Sequence, residues 1–378
     1  MKQGEANAGA VPANGLAGAG GDASTGSGTD ANIGTDASIR PSTAARTPAS
    51  TAARTPASTA RPGTDPVASY AGGVWASLLR DATYLLAESG VASPGHDARE
   101  LAEFVLGERP WPSRRIASTA EARRYLELVA QRAARIPLQH LTGRMYFRYL
   151  TLKSTPDALI VRPETELVAG EAIDFLRELV AAGKPAQLGG APAAGAAPAP
   201  LAVDLGTGSG AIALAIATEV PTARVVAVDI SAAALALAAE NARHYQVPTA
   251  RLEFRQGDAM APPASAASVV ADLRGRCDVV VTNPPYVPPQ KFYSHSPEVQ
   301  ADPELALAGG GPRGLEKPEA FLASAVELLR PGGLVAMEHA EEQAAPLREA
   351  ARRAGLTQVG TGNDLTGRPR WLRGYKPV

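Results

Sequence analysis

The chain has 378 residues, enough for two domains, and 45% of them are hydrophobic, enough for a sizeable core. Lys plus Arg number 37 against 38 Asp plus Glu, a formal charge of −1, so no global basic field recruits nucleic acid. One cysteine excludes an internal disulfide and fits a reducing cytoplasm, the five scattered histidines suggest no metal site, and no apolar run approaches the ~18–20 residues of a membrane span.

Residues 1–68 are Ala, Gly, Ser, Thr, Pro and Asp with almost no large apolar side chains, and Ser42–Ala49 repeats as Ser50–Ala57. Such a segment cannot bury enough apolar surface to offset its ordering entropy, so it is expected to be a disordered, dispensable tail. Residues 69–140 read as a small helical bundle. Val74, Leu78, Leu79, Leu85 and Leu86 form one stripe, and Ser93-Pro94 opens a second helix that Gly107 and Pro110 close. Ala120 to Ala133 gives a third, with Leu126, Leu128 and Val129 inward.

Residues 141–165 read as a connector, with alternation over Tyr146–Leu152 predicting a β-hairpin. In Arg162-Pro163-Glu164-Thr165-Glu166, the charges suggest a surface ion pair ahead of a helix from Leu167 to about Ala182. Residues 183–200 are a flexible insertion rich in Ala, Gly and Pro within a 166–378 core. From Leu201 the pattern alternates. Strands are expected at 201–205, 224–228, 251–254, 279–282 and 334–338, helices at 211–220, 231–245, 316–329 and 341–354. Pro331-Gly332-Gly333 reads as the stop after the third of these helices, and two short strands end the chain. Alternating strands and helices predict an α/β fold, a parallel, doubly wound sheet.

Gly206-Thr207-Gly208-Ser209-Gly210 lies between a strand and a helix, where glycines let main chain turn sharply and approach a ligand. A dinucleotide and S-adenosylmethionine both suit this loop. Asp229 ends the next strand, where a carboxylate can accept ribose hydroxyls, or simply cap a helix. Asp258, before Ala259, can accept an adenine amino group, or form a loop turn.

Thr282-Asn283-Pro284-Pro285-Tyr286 follows an apolar strand and favours S-adenosylmethionine. Hydride transfer needs no such grip, whereas methyl transfer to a planar nitrogen does. The Asn283 side-chain oxygen and the Pro284 carbonyl can hold the two N–H bonds of an amide or aromatic amine, and Tyr286 can stack on its flat group. A proton can leave after transfer, so no strong base is required.

With these motifs the chain resembles the HemK/PrmC family of protein-(glutamine-N5) methyltransferases. Asp97-Ala98, Pro137–Gly143, Phe147, Arg162–Glu166, Glu298-Val299, Ala306-Leu307, Gly309-Gly310, Gly314-Leu315 and Glu338-His339 carry the likeness over about residues 75–378. The resemblance implies a class I S-adenosylmethionine-dependent methyltransferase fold, Rossmann-like, with a small N-terminal helical bundle that docks the substrate. It implies that Gly206 to Gly210 hold the methionine side of the cofactor, Asp229 the ribose, and Asp258 and Ala259 the adenine. Asn283, Pro284, Pro285 and Tyr286 would bind the glutamine of the Gly-Gly-Gln loop of class-I peptide chain release factors, with Asn283 also near the methyl group. Arg162–Glu166 looks like a support for the active-site wall. Where family members can carry a large aromatic, this chain has Ala259, with Met260 as a substitute. A glutamine of a large-subunit ribosomal protein is the alternative substrate, and a nucleic-acid amino group a more distant one. The expected protein is a cytoplasmic monomer, with release factors as partners and no direct nucleic-acid or membrane binding.

Overall fold

The computed structural model describes residues 73–108, 114–183, 199–292 and 294–378. The tail at 1–68, Pro110 and most of the 183–200 insertion lie outside them. Among the described residues no helix is long and apolar enough to cross a membrane.

Four helices form the first layer: α1 (Trp75–Glu88), α2 (Pro94–Leu106), α3 (Thr119–Ala133) and α4 (Leu138–Thr142). Pro94 occupies the first turn of α2, where its missing N–H costs nothing, and Gly107 closes it at φ 70°. A capping box between Ser118 and Glu121 starts α3. Trp75, Leu78, Leu86, Leu101 and Leu128 are buried around Tyr125, whose ring meets Trp75 edge-on at 5.1 Å and whose hydroxyl donates to the Ala98 carbonyl. Val74, expected on the α1 stripe, instead precedes the helix and bridges Ile116. Pro137–Gly143, left unassigned from sequence, contains the single-turn helix α4.

The hairpin is present as β1 (Arg144–Phe147) and β2 (Leu150–Lys153), antiparallel, with Met145, Phe147 and Leu152 buried in the main core. Helix α5 (Pro163–Ala181) starts four residues earlier than expected, because Pro163 is favourable at the first helical position and Glu164 and Glu166 complement the helix dipole.

The sheet proper takes β3 (Leu201–Leu205), β4 (Arg224–Asp229), β5 (Leu252–Gln256), β6 (Cys277–Thr282), β7 (Leu329–Glu338), β8 (Thr357–Asn363) and β9 (Pro369–Tyr375) in the order β5-β4-β3-β6-β7-β9-β8. Residues alternate between its two faces, as the pleat requires. Ala202, Val279 and Val281 pack with α5 and α6 (Ala211–Glu219); Leu201, Val203 and Val280 pack toward α11 (Glu316–Leu328) and α12 (Ala344–Arg353). Helix α7 (Ala232–His244) links β4 to β5, and the single-turn helices α8 (Pro289–Phe292), α9 (Pro297–Gln300) and α10 (Glu304–Leu307) follow β6.

Two expectations need correction. The sheet is mixed, because β9 runs antiparallel to both β7 and β8. The short turn joining β8 to β9 is stapled by Asp364, which accepts main-chain N–H bonds from Thr366 and Arg368, and a hairpin can join only antiparallel strands. Pro331-Gly332-Gly333 is not a stop after α11. Strand β7 already begins at Leu329, and these residues form a bulge where its register against β6 shifts, with Gly332 at φ 75°.

Strand β3 lies between β4 and β6, so the chain first builds outward on one side and then crosses to the other. Ligands of open α/β sheets bind at the carboxyl ends of strands flanking such a switch. The glycine loop and the Asn283 turn leave the sheet there, side by side.

Candidate active site

The loop after β3 is shaped by three glycines at positive φ: Gly206 (74°), Gly208 (56°) and Gly210 (83°). Gly206 and Thr207 donate their N–H groups to the Val228 carbonyl at 2.8 and 2.9 Å, fastening the loop to β4. Asp204 sits beneath it, fully buried, and accepts from the Thr207 hydroxyl (2.7 Å) and the Ala213 N–H (3.2 Å). Burial pushes its carboxyl up to about 7 against those two bonds. Gly210 backs onto α7, where a Cβ would lie 3.0 Å from that of Ala238.

Asp229 accepts the Gly208 N–H at 2.8 Å through one oxygen and the Ser231 N–H at 2.9 Å through the other. Its carboxylate thus ties the end of β4 to the loop while facing the same cavity. Burial raises its pKa above the ordinary carboxylate value, only partly offset by these main-chain bonds. Asp258 accepts from the Met260 N–H at 2.8 Å, so it forms a turn and lines the cavity as well, and Ala259 and Met260 line it beside Asp258.

One cavity brings together Gly206, Thr207, Gly208, Ser209, Asp229, Asp258, Ala259, Asn283 and Pro285. Three other sequence-predicted residues stand outside its wall. Gly210 lies behind the loop, Pro284 is buried, and Tyr286 is turned to a different partner.

That partner is Glu338 at the end of β7. The Tyr286 hydroxyl donates to Glu338 Oε1 at 3.1 Å, the Thr165 hydroxyl donates to Oε2 at 2.6 Å, and Asn283 Nδ2 donates to Thr165 Oγ1 at 3.3 Å. Glu338 is 1% exposed, and burial pushes its carboxyl up to about 7 even though the Thr165 and Tyr286 bonds favour the ionised form. Burial first, and then the Glu338 charge, hold the Tyr286 phenol well above its usual pKa, so it stays a donor.

The turn itself is rigid. Gln343 Nε2 donates to the carbonyls of Tyr286, Arg313 and Gly314 at 2.9–3.0 Å, and a Cβ on Gly309 or Gly314 would run into the Tyr286 main chain. Thr282 adds a bond from its hydroxyl to the Leu205 carbonyl at 2.6 Å, tying β6 to β3.

Arg162 does not pair with Glu164 or Glu166 at the surface, as its neighbours in sequence suggested. It forms an ion pair with Asp302, whose other oxygen accepts the Ile160 N–H at 3.0 Å. Beyond Asp302, Pro303, Leu305 and Ala306 form one wall of the cavity. Before it, Glu298 reaches back to the helical bundle, where Arg132 and Arg135 contact it at 2.8 and 2.6 Å and Arg132 also holds buried Asp97 at 2.7 Å.

S-adenosylmethionine fits this set of residues. The glycine loop exposes main chain where Gly208 has open space around its missing Cβ, and the Asp229 carboxylate faces the cavity as an acceptor for hydroxyls.

Two family models match the chain: a methyltransferase domain over residues 201–363 and the PrmC N-terminal domain over residues 77–143. A release factor glutamine methyltransferase from Streptomyces coelicolor is 40% identical over 305 residues, covering 79% of this chain and 97% of that protein. Proteins of the same name from Bifidobacterium longum and Mycolicibacterium smegmatis are 35% and 38% identical, each covering 78% of this chain and 97% and 95% of their own length. With near-complete coverage of those relatives, and with a sheet, glycine loop and Asn-Pro-Pro-Tyr turn that suit methyl transfer, the chain belongs to the release factor glutamine methyltransferase family and is an S-adenosylmethionine-dependent enzyme.

Proposed function

We propose that the protein methylates the side-chain amide nitrogen of the glutamine in the Gly-Gly-Gln loop of class-I peptide chain release factors. The observation that carries this reading is the position of Asn283: it lines the cavity that also contains the glycine loop and Asp229, while its amide nitrogen is committed to Thr165. The side-chain oxygen is then the acceptor left for a ligand, as an incoming amide N–H requires.

Bound in the cavity, S-adenosylmethionine supplies a methyl group activated by a sulfonium. Gly206, Thr207, Gly208 and Ser209, with Gly210 shaping the loop behind them, would hold its methionine end, Asp229 its ribose, and Asp258 with Ala259 its adenine. Asn283 and the main-chain carbonyl of Pro284, whose ring is buried behind the turn, would accept the two N–H bonds of the glutamine; Pro285 lines the slot around its flat amide, and Tyr286 braces that slot from behind through Glu338. An amide nitrogen is a poor nucleophile because its lone pair is delocalised, so these residues work by orientation. The nitrogen sheds one proton on methylation and ends neutral, which removes the need for a strong base.

In this reading residues 69–140 form the docking domain for the release factor, 141–165 the connector and 166–378 the catalytic domain, in a cytoplasmic monomer that binds no nucleic acid. The test is incubation with labelled S-adenosylmethionine and purified release factor, beside a large-subunit ribosomal protein and DNA. Label should enter the Gly-Gly-Gln glutamine and fall by about 10²–10³-fold in Asn283→Ala, the scale of losing a key polar contact in the transition state. Label confined to ribosomal protein or DNA refutes the substrate assignment.

A further inference from the structure

Asn283 has two orientations related by exchange of its amide oxygen and nitrogen, and only one of them presents an acceptor to the cavity. Something in the fold must choose between them. A hydroxyl carries a single proton, and that of Thr165 is spent on Glu338 Oε2 at 2.6 Å. Once Glu338 is ionised, above about pH 7, its carboxylate can only accept, and its other oxygen is occupied by the Tyr286 phenol. With its proton used, Thr165 Oγ1 offers only lone pairs to Asn283, so it can bind the NH2 side and not the oxygen.

We propose that Thr165 is a positioning residue for methyl transfer, its hydroxyl aimed by Glu338 so that Asn283 is locked with its oxygen toward the substrate amide. The proposal rests on the substrate-holding role given to Asn283 above. It assigns a task to the Thr of the Arg-Pro-Glu-Thr-Glu segment, which the first turn of α5 delivers to the site from 118 positions away in sequence. A purely structural role predicts something different, since three elements meet at Glu338 and the bonds might only hold α5, the Asn283 turn and β7 together.

The experiment compares Thr165→Val, which keeps the shape and removes the hydroxyl, with Thr165→Ser, which keeps the hydroxyl. In Thr165→Val, kcat for release-factor methylation should fall about 10- to 100-fold. Binding of S-adenosylmethionine by calorimetry should stay near wild type, the thermal midpoint should fall by only a few degrees with the protein still folded, and Thr165→Ser should restore most of kcat. Wild-type kcat in Thr165→Val overturns the proposal. So does a kcat loss that Ser does not rescue, or one matched by lost cofactor binding or unfolding. If wild-type enzyme labels a glutamine of another protein instead, the release-factor assignment fails, while the same Val-to-Ser comparison on that glutamine still decides the role of Thr165.

Discussion

At one end of the cavity Gly206, Thr207 and Gly208 offer main chain, fastened to β4 by main-chain bonds and by Asp229. At the other end the Asn283 side chain is held through Thr165 to a buried Glu338 shared with Tyr286. The difference follows from what each end must do. A reagent that is the same in every turnover can be held by fixed main-chain geometry, which leaves little freedom to change residues. In the proposed reaction a planar amide must be held in one orientation, and the Asn283 amide, whose oxygen and nitrogen can exchange places, needs a partner with a defined proton position to present its oxygen.

That contrast can be broken in three ways. The largest effect is expected from Gly210→Val. A positive φ of 83° and an Ala238 Cβ 3.0 Å away leave no place for a side chain. The cost should be about 2–5 kcal/mol in urea unfolding, from backbone strain plus overpacking, with cofactor binding lost. A variant that folds and binds normally would show that the loop is not fixed by its main chain.

Asp229→Ala comes next. It should weaken S-adenosylmethionine binding about 10- to 100-fold, the scale of hydrogen bonds to a charged group, with the KM for release factor little changed. A matching rise in both constants would mean that the two ends are not separable.

The third test reads a change of slope with pH and leaves the fold and the cofactor loop intact. Glu338 has a folded-state pKa of about 7, above its value of 4.5 when exposed, chiefly through burial. Its neutral form is therefore favoured by folding. The resulting stability is complete below about pH 4.5 and is lost as pH rises through about 7. Between pH 5 and 8, Glu338→Gln should lose roughly 2–3 kcal/mol less than wild type, read from urea midpoints at several pH values. Some decline should remain, because buried Asp204 is also pushed up to about 7. An unchanged slope would mean that Glu338 is not the group titrating.

The two ends also differ in how far the sequence reveals them. Gly206–Gly210 and Asp229 belong to one strand–loop–helix–strand unit, so spacing alone exposes them. The Thr165–Glu338 bond joins residues 173 positions apart, and no local pattern announces it. One clue was present: Glu338 is a charged residue ending the apolar run Leu334–Met337, and β7 lies beside β6 with Met337 opposite Thr282, which brings Glu338 level with Asn283. Arg162 was misjudged for the same reason, since its partner Asp302 lies 140 positions on while Glu164 and Glu166 are adjacent. Pro331-Gly332-Gly333 misled in the opposite way. Its residues favour a turn locally, yet pairing with β6 absorbs them as a bulge.

Glu298 sits at the seam between the helical bundle and the sheet. Burial raises its carboxyl, but hydrogen bonds from Arg135 and Arg132 outweigh that and bring it to about 2. The seam's contribution is therefore present above about pH 4.5 and fades only as pH falls toward 2. Acidification from pH 8 to 6 changes the charge state at Glu338, inside the catalytic wall, and leaves the seam ionised. The ion pairs that join the bundle to the sheet thus keep their charge over the pH range in which Glu338 changes its proton.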